Sequence, residues 1–324
     1  MRDHQNMVFV IVGFGSIAKR HATNLQYLFP NAEIIVVSSR AKSLVSPGLS
    51  FAESLSDISA IVPRAAFICN AANEHLRVAK YFLEQDIDVF IEKPLASSLD
   101  EALELQTAFK KTNARVAVGY NLRFCESLQL LKRVVEERQY GSPVLVKAEV
   151  GQYLPDWRPG MDYKQSVSAN PDRGGGALLE LSHEFDYVNW IFGEPTVICG
   201  VMHNSGTLGV TVEDTVFATV QYGAVLANFT LDFLQRKATR SCKVVCENAT
   251  LVWDCLENSL VATRETETEV LFAQKTPSNQ MYIDQINAFL SDTNVSQSPI
   301  ATFADGTKVL KTCEQIKSFS SIGT

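Results

Sequence analysis

Between residues 7 and 120, short β-branched runs alternate with amphipathic stretches, a rhythm that few folds accept. The apolar runs are "MVFVIVG", "AEIIVVSS", "AAFICNA", "DVFIEK" and "ARVAVGY". Between them lie "AKRHATNLQYLF", "EHLRVAKYFLEQ" and "SLDEALELQTAFKK". Strands that are apolar without alternation are buried on both faces, so they predict a parallel sheet covered by helices on either side. Ser98, with Glu101 three residues later, resembles a capping box opening one of those helices.

After residue 122 the rhythm changes. A helix, "ESLQLLKRVVEER", leads through Gly141, Ser142 and Pro143 to a strand, "VLVKAEVGQYL". A polar loop from Pro155 to Gly176 precedes one continuous helical run, "ALLELSHEFDYVNWIFG". Then come "VICGVM", "TVFATVQY", "VLANFTLDFL", "SCKVVCE", "ATLVWDC" and "SLVATRE", whose alternation predicts a mostly antiparallel sheet. Helices near 280–291 and 304–319 close the chain. The predicted class is α/β. A Rossmann-type doubly wound parallel sheet spans 1–121, and an α+β domain with an open, mostly antiparallel sheet spans 122–324. The last helix is free to pack back on the first domain.

Charge and cysteine usage narrow the function classes. Acidic residues exceed basic ones by 36 to 29 and no basic run stands out, so nucleic acid is not an expected partner. The seven cysteines include no C-x-x-C pair, which suits buried thiols in a reducing compartment and predicts no metal site. No apolar run reaches the roughly eighteen residues that a membrane span requires. The opening "MRDHQNMVFVIVGFG" passes into a strand without signal-peptide anatomy, so a cytoplasmic location is expected.

The first site candidate is Gly13-Phe14-Gly15-Ser16-Ile17-Ala18, which follows a strand and opens a helix. In that context Gly13 permits the tight turn, and Gly15 lets the backbone at Ser16 and Ile17 approach a pyrophosphate. The second strand ends in Ser38-Ser39-Arg40, where an NAD-specific site usually carries an acid. Small polar residues with an arginine accept a 2′-phosphate, so Ser39 and Arg40 predict NADP over NAD. Ligands gather at the carboxyl ends of parallel strands. Asn70, Ala71, Asn73 and His75 should therefore border the cofactor, although Asn73 suits a helix cap and His75 a packing role equally well. His21, inside the first helix, reads as structural. The next two strand ends bring Glu92 and Lys93, then Tyr120, Asn121 and Arg123, to the same edge. A lysine there could bond the cofactor's ribose and a substrate hydroxyl, stabilising charge as a proton leaves.

At these residues the chain resembles the glucose–fructose oxidoreductase/inositol dehydrogenase/MocA family of NAD(P)-dependent oxidoreductases. The matching pieces are "GFGSIAKRH", "NAANEHL", "IEKP", "VGYNLRF", "GGGALLELSHEFDYVNWIFG" and "ATFADGTKVLK", in the family's order across nearly the whole chain. The resemblance implies catalytic roles for Lys93 and His183, and a second-domain sheet that joins subunits into homodimers or homotetramers. Many members place an aspartate four residues before that histidine, whereas the nearest acid here is Glu180, three before it. On one continuous helix Glu180 and His183 would share a face. Histidine, with an unperturbed pKa of about 6.5, suits the base that alcohol oxidation needs. In the long loop, Trp157, Arg158, Asp162 and Tyr163 are candidate substrate contacts, with a structural or subunit-contact role at least equally open for each, alongside Tyr120 and Arg123 at the sheet edge. A proposed cis Lys93–Pro94 bond would turn the lysine toward the nicotinamide. The expected activity is hydride transfer to or from a sugar, sugar derivative or polyol. A cofactor-binding sensor without turnover, or other redox or glycosidic chemistry on the same fold, is the alternative.

Overall fold

A computed structural model describes residues 7–291 and 298–320. Residues 1–6, read above as leading directly into the first strand, lie outside the described residues. The described chain forms two compact units: the residues of Met1–Gly119 with Tyr282–Phe303, and those of Tyr120–Met281 with Ala304–Thr324.

The first unit opens with β1 (Val8–Val12), α1 (Ser16–Leu28), β2 (Glu33–Val37), β3 (Ser50–Ala52) and β4 (Ala65–Ile68). It continues with α2 (His75–Leu83), β5 (Val89–Ile91), α3 (Leu99–Phe109) and β6 (Val116–Val118). The strands run parallel in the order β6-β5-β4-β1-β2-β3, which is doubly wound topology. Phe9, Val10, Ile11, Phe67 and Phe90 are fully buried, as expected of strands covered on both faces. The Ser98 hydroxyl caps α3 by accepting from the Glu101 amide, while the Glu101 carboxylate accepts from Ser97.

In the second unit come α4 (Glu126–Glu136), β7 (Pro143–Gly151), α5 (Ala177–Glu180) and α6 (His183–Phe192). The strands β8 (Thr196–His203), β9 (Thr215–Tyr222), β10 (Val225–Asp232) and β11 (Thr239–Cys246) follow, then β12 (Thr250–Asp254), β13 (Ser259–Arg264) and β14 (Glu267–Ala273). They form an eight-stranded sheet, β14-β13-β12-β11-β7-β10-β9-β8, antiparallel except for the β7–β10 pair. One face is packed: Phe185 of α6 meets Phe229 at 4.7 Å, and the Trp253 indole donates to Ser127 of α4. The other face is open and carries exposed Val201, Phe217 and Leu226.

The chain then enters α7 (Gln280–Leu290) and β15 (Ala301–Thr302) before ending in α8 (Phe303–Phe319). β15 adds antiparallel to β6 as the seventh strand of the first sheet. The boundary at 121/122 therefore needs correction: residues 282–303 complete the first unit rather than the second. The reason is apolar, since Phe289 packs on Phe67 and Phe90 at 5.8 and 5.5 Å. From Ala304 onward α8 belongs to the second unit, so α7 is the closing helix that returns to the first.

At the amino ends of β4, β5 and β6, Asp88 accepts from Arg64 and Arg115, each at 2.8 Å. The same arginines donate to the carbonyls of Leu290 and Ser291, where α7 ends. Burial would raise the Asp88 pKa, but its bonds from Arg115 and Arg64 outweigh it and hold the carboxyl below its usual value. A carboxylate with a depressed folded pKa contributes stability above its unfolded pKa of about 3.9 and loses it as pH falls through the folded value. Acid titration of unfolding should show that loss in the wild type. In Asp88→Asn the slope contributed by this group should vanish.

Candidate functional site

The parallel topology puts the ends of β1, β2, β4, β5 and β6 on one edge of the first unit. Gly13, just past β1, has φ +97° and donates to the Val37 carbonyl at 2.9 Å. A Cβ there would stand 2.9 Å from the Asn70 amide nitrogen, so only glycine fits the turn. At Gly15 an added Cβ would meet nothing within 4 Å, so the turn faces open space in front of α1. Ser16 is exposed and opens the helix, with no acid in its first turn to repel an anion. Ser39 and Arg40 are exposed just beyond β2. Asn73 is exposed on a 3-10 turn beyond β4 and caps no helix, while Asn70 and Ala71 are half-buried beside it. These residues fit a dinucleotide: an open cradle, unopposed helix amides, and a cation at the ribose end.

His75 departs from its expected cofactor contact. The ring is 1% exposed, with Nδ1 3.0 Å from the Pro94 carbonyl and Nε2 3.2 Å from that of Asn70. It is committed to backbone, and burial lowers its pKa. Glu92 is likewise turned inward, for its Oε1 lies 2.6 Å from Nε2 of the fully buried His21. Lys93 follows Glu92 in the chain, half-buried and joined by a cis bond to Pro94.

In the second unit, Tyr120 and Arg123, expected at the substrate, are both buried and bonded to protein groups. Tyr120 is fully buried, with its hydroxyl 3.4 Å from Ser182 Oγ and its ring edge-on to His183 at 5.4 Å. Burial and the nearby Asp186 charge push its pKa up. Arg123 is 3% exposed and grips Asp186 bidentately at 2.9 and 2.7 Å, with Asp305 at 3.3 Å. Asn121 is buried on the same 3-10 turn, Asn121–Phe124.

The helical run expected around His183 is broken. α5 ends at Glu180, Leu181 takes φ −101° and ψ 25°, and α6 starts at His183. Tyr120 and the buried Ser182 occupy the break. Glu180 and His183 consequently do not share one helical face, and Glu180 Oε2 accepts from Ser168 at 2.9 Å. His183 stands at the first position of α6, 8% exposed. Gly175, upstream of it, is required by crowding, since a Cβ there would lie 2.4 Å from the Val167 carbonyl. Glu213, which the sequence does not single out, seats α5 by accepting from the Leu178 amide at 3.0 Å.

The loop residues divide. The Tyr163 hydroxyl is tied to the Leu208 carbonyl at 2.9 Å, and Trp157 leans edge-on against Phe233 at 5.1 Å. Arg158 is exposed.

The oxidoreductase family with an NAD-binding Rossmann fold, GFO/IDH/MocA, matches residues 7–120, and its C-terminal domain matches residues 128–252. The chain belongs to the GFO/IDH/MocA oxidoreductase family. It is 30% identical to the uncharacterized oxidoreductase YrbE of Bacillus subtilis over 200 residues, 58% of this chain and 54% of YrbE. The matched stretch thus spans about half of that relative's length. Levoglucosan dehydrogenase, in complex with NADH and levoglucosan, has the same fold at TM-score 0.84. Its identity is 16%, with 98% of this chain and 97% of that one covered. The WlbA dehydrogenase of Bordetella pertussis, in complex with NADH and UDP-GlcNAcA, aligns at TM-score 0.81 and 20% identity, covering 99% and 97%.

Proposed function

We propose that the protein is an NAD(P)-dependent oxidoreductase that moves a hydride between nicotinamide and a hydroxyl-bearing carbon of a sugar, sugar derivative or polyol. The observation that carries this reading is the carboxyl edge of the first sheet, where the Gly13–Ser16 turn, Ser39, Arg40 and Lys93 emerge together. Levoglucosan and UDP-GlcNAcA, the ligands of two similar structures, are both carbohydrates and support the substrate class. A panel of sugars and polyols with either cofactor tests it, and turnover on at least one is expected.

Bound nicotinamide supplies or accepts the hydride. The amides at the start of α1 would hold the pyrophosphate, with Asn70, Ala71 and Asn73 alongside. Lys93 donates to the reacting oxygen and stabilises its charge, and His183 takes or returns the hydroxyl proton. That proton role falls to His183 rather than Glu180, whose carboxylate is engaged by Ser168. Exposed Arg158 and neighbouring Trp157 remain the loop residues suited to substrate contact, Arg158 favouring an acidic or phosphorylated one.

The preference for NADP over NAD rests on Ser39 and Arg40. A charge-assisted hydrogen bond contributes about 1.5–3 kcal/mol, roughly ten- to a hundredfold in affinity. Titration should give tighter NADPH than NADH binding by that factor, and Arg40→Ala should erase most of the difference. Comparable affinities in the wild type would contradict the assignment.

We assign self-association to the open face of the second sheet, where Val201 and Phe217 are cross-strand neighbours and Leu226 pairs with Leu145. Seven unbridged cysteines, five of them buried, support a reducing compartment. No helix among the described residues is long and apolar enough to cross a membrane.

A further inference from the structure

Two buried histidines from two different helices hold the short loop that presents Lys93. From α1, His21 points Nε2 at Glu92 Oε1, 2.6 Å away. A carboxylate only accepts, so the imidazole proton lies on Nε2. The ring is 0% exposed and enclosed by Phe67, Phe90 and Tyr282, with centroids at 5.6, 5.3 and 6.3 Å. Its Nδ1 has no hydrogen-bond partner among the described residues. This histidine therefore has one polar task, which is to bind Glu92. The other carboxylate oxygen of Glu92 accepts from the Lys93 amide at 3.3 Å. Gly119 makes room for it, because a Cβ there would stand 2.7 Å from Glu92 Oε2. On the far side of the lysine, His75 at the start of α2 places Nδ1 3.0 Å from the Pro94 carbonyl. A neutral ring donates from one nitrogen only, and the shorter of its two contacts is this one.

We infer that His21 and His75 are positioning residues that fix Lys93 from either side, His21 through the Glu92 carboxylate and His75 through the Pro94 carbonyl. Neither is placed to touch substrate or cofactor. Their effect is to hold the backbone on both flanks of Lys93 against two helices, so that the ammonium keeps one location. The inference rests on the catalytic reading of Lys93 for its kinetic consequence, but not for its structural one.

The test compares His21→Leu and His75→Leu, which remove the donors, with His21→Gln and His75→Asn, which keep a donor near Nε2 and Nδ1 respectively. The leucine variants are expected to lower kcat at least about tenfold, toward the roughly hundredfold cost of a 1 Å misplacement, with NADPH Kd shifted less than about threefold. The amide variants should recover kcat to within about threefold of wild type. Independently of turnover, acetylation of Lys93 by acetic anhydride is followed on the free protein by peptide mass spectrometry, with exposed Lys111 as internal reference. The Lys93 to Lys111 labelling ratio should change in the leucine variants and return in the amide variants. Wild-type kcat and labelling in the leucine variants would overturn the inference. So would equal losses in leucine and amide variants, which mark a packing role only. Lys93→Ala is run beside them: if it retains turnover the catalytic reading fails, and the labelling ratio alone then decides the positioning claim.

Discussion

Lys93→Ala is expected to lower kcat/KM on the best sugar or polyol substrate by about 10²–10⁴-fold, the range contributed by one positioned acid–base or charge-stabilising group. The fold should survive, because Lys93 is half-buried at a loop and its neighbours Glu92 and Pro94 are held by His21 and His75. NADPH binding should persist, since the Gly13 turn and Arg40 lie on other strand ends. His183→Ala should cost a similar factor, and more steeply in kcat than in KM, because it removes the proton acceptor and not a binding group. Melting temperatures measured beside the kinetics separate lost chemistry from lost structure. Wild-type rates in both variants would show that the hydride-transfer chemistry is assigned to the wrong residues.

The largest stability effect is expected at Arg123. Removing one partner of a buried ion pair costs about 3–5 kcal/mol, because the charge left behind stays out of water. Asp186 is 1% exposed and would be that charge, whereas Asp305, with a side chain 24% exposed, can rehydrate. Arg123→Ala should therefore destabilise the second unit strongly, followed through Trp190, whose ring lies 5.4 Å from the guanidinium. The double substitution Arg123→Met with Asp186→Leu should recover most of the loss. Burial already raises the Asp186 carboxyl to about 6 even with Arg123 beside it. Without the arginine the carboxyl takes up a proton more readily, and protonation removes the buried charge. The cost of Arg123→Ala should accordingly be smaller near pH 5 than near pH 8, to the order expected for a desolvated carboxylate. An equal cost at both would mean that Asp186 is not the destabilising charge.

The parts legible in the sequence are those whose signal is local. The strands β1, β2, β4, β5 and β6 are continuous apolar runs, and β8 to β13 alternate in or near their observed bounds. β3 is three residues long, and β14 is exposed along most of its length, so neither carries a pattern. The break between α5 and α6 is invisible because Leu181 and Ser182 suit a helix. The hydroxyl that meets Ser182 at the break is that of Tyr120, 62 residues earlier. Arg123 read as a substrate contact for the same reason, since its partners Asp186 and Asp305 lie 63 and 182 residues away. His21 and Glu92 are 71 residues apart and meet only in the folded chain. The turn Gly13–Ile17, by contrast, declares itself: strand, glycine, glycine and helix are adjacent in the chain.

Label transfer shows whether the protein moves a hydride from a sugar or polyol to nicotinamide. A sugar or polyol deuterated at a hydroxyl-bearing carbon is incubated with the protein and NADP, and the nicotinamide is examined at C4. Deuterium on C4 with the wild type, and none above background with Lys93→Ala, is the expected result. NADP binding without deuterium transfer from any sugar or polyol of a broad panel would rule out this activity.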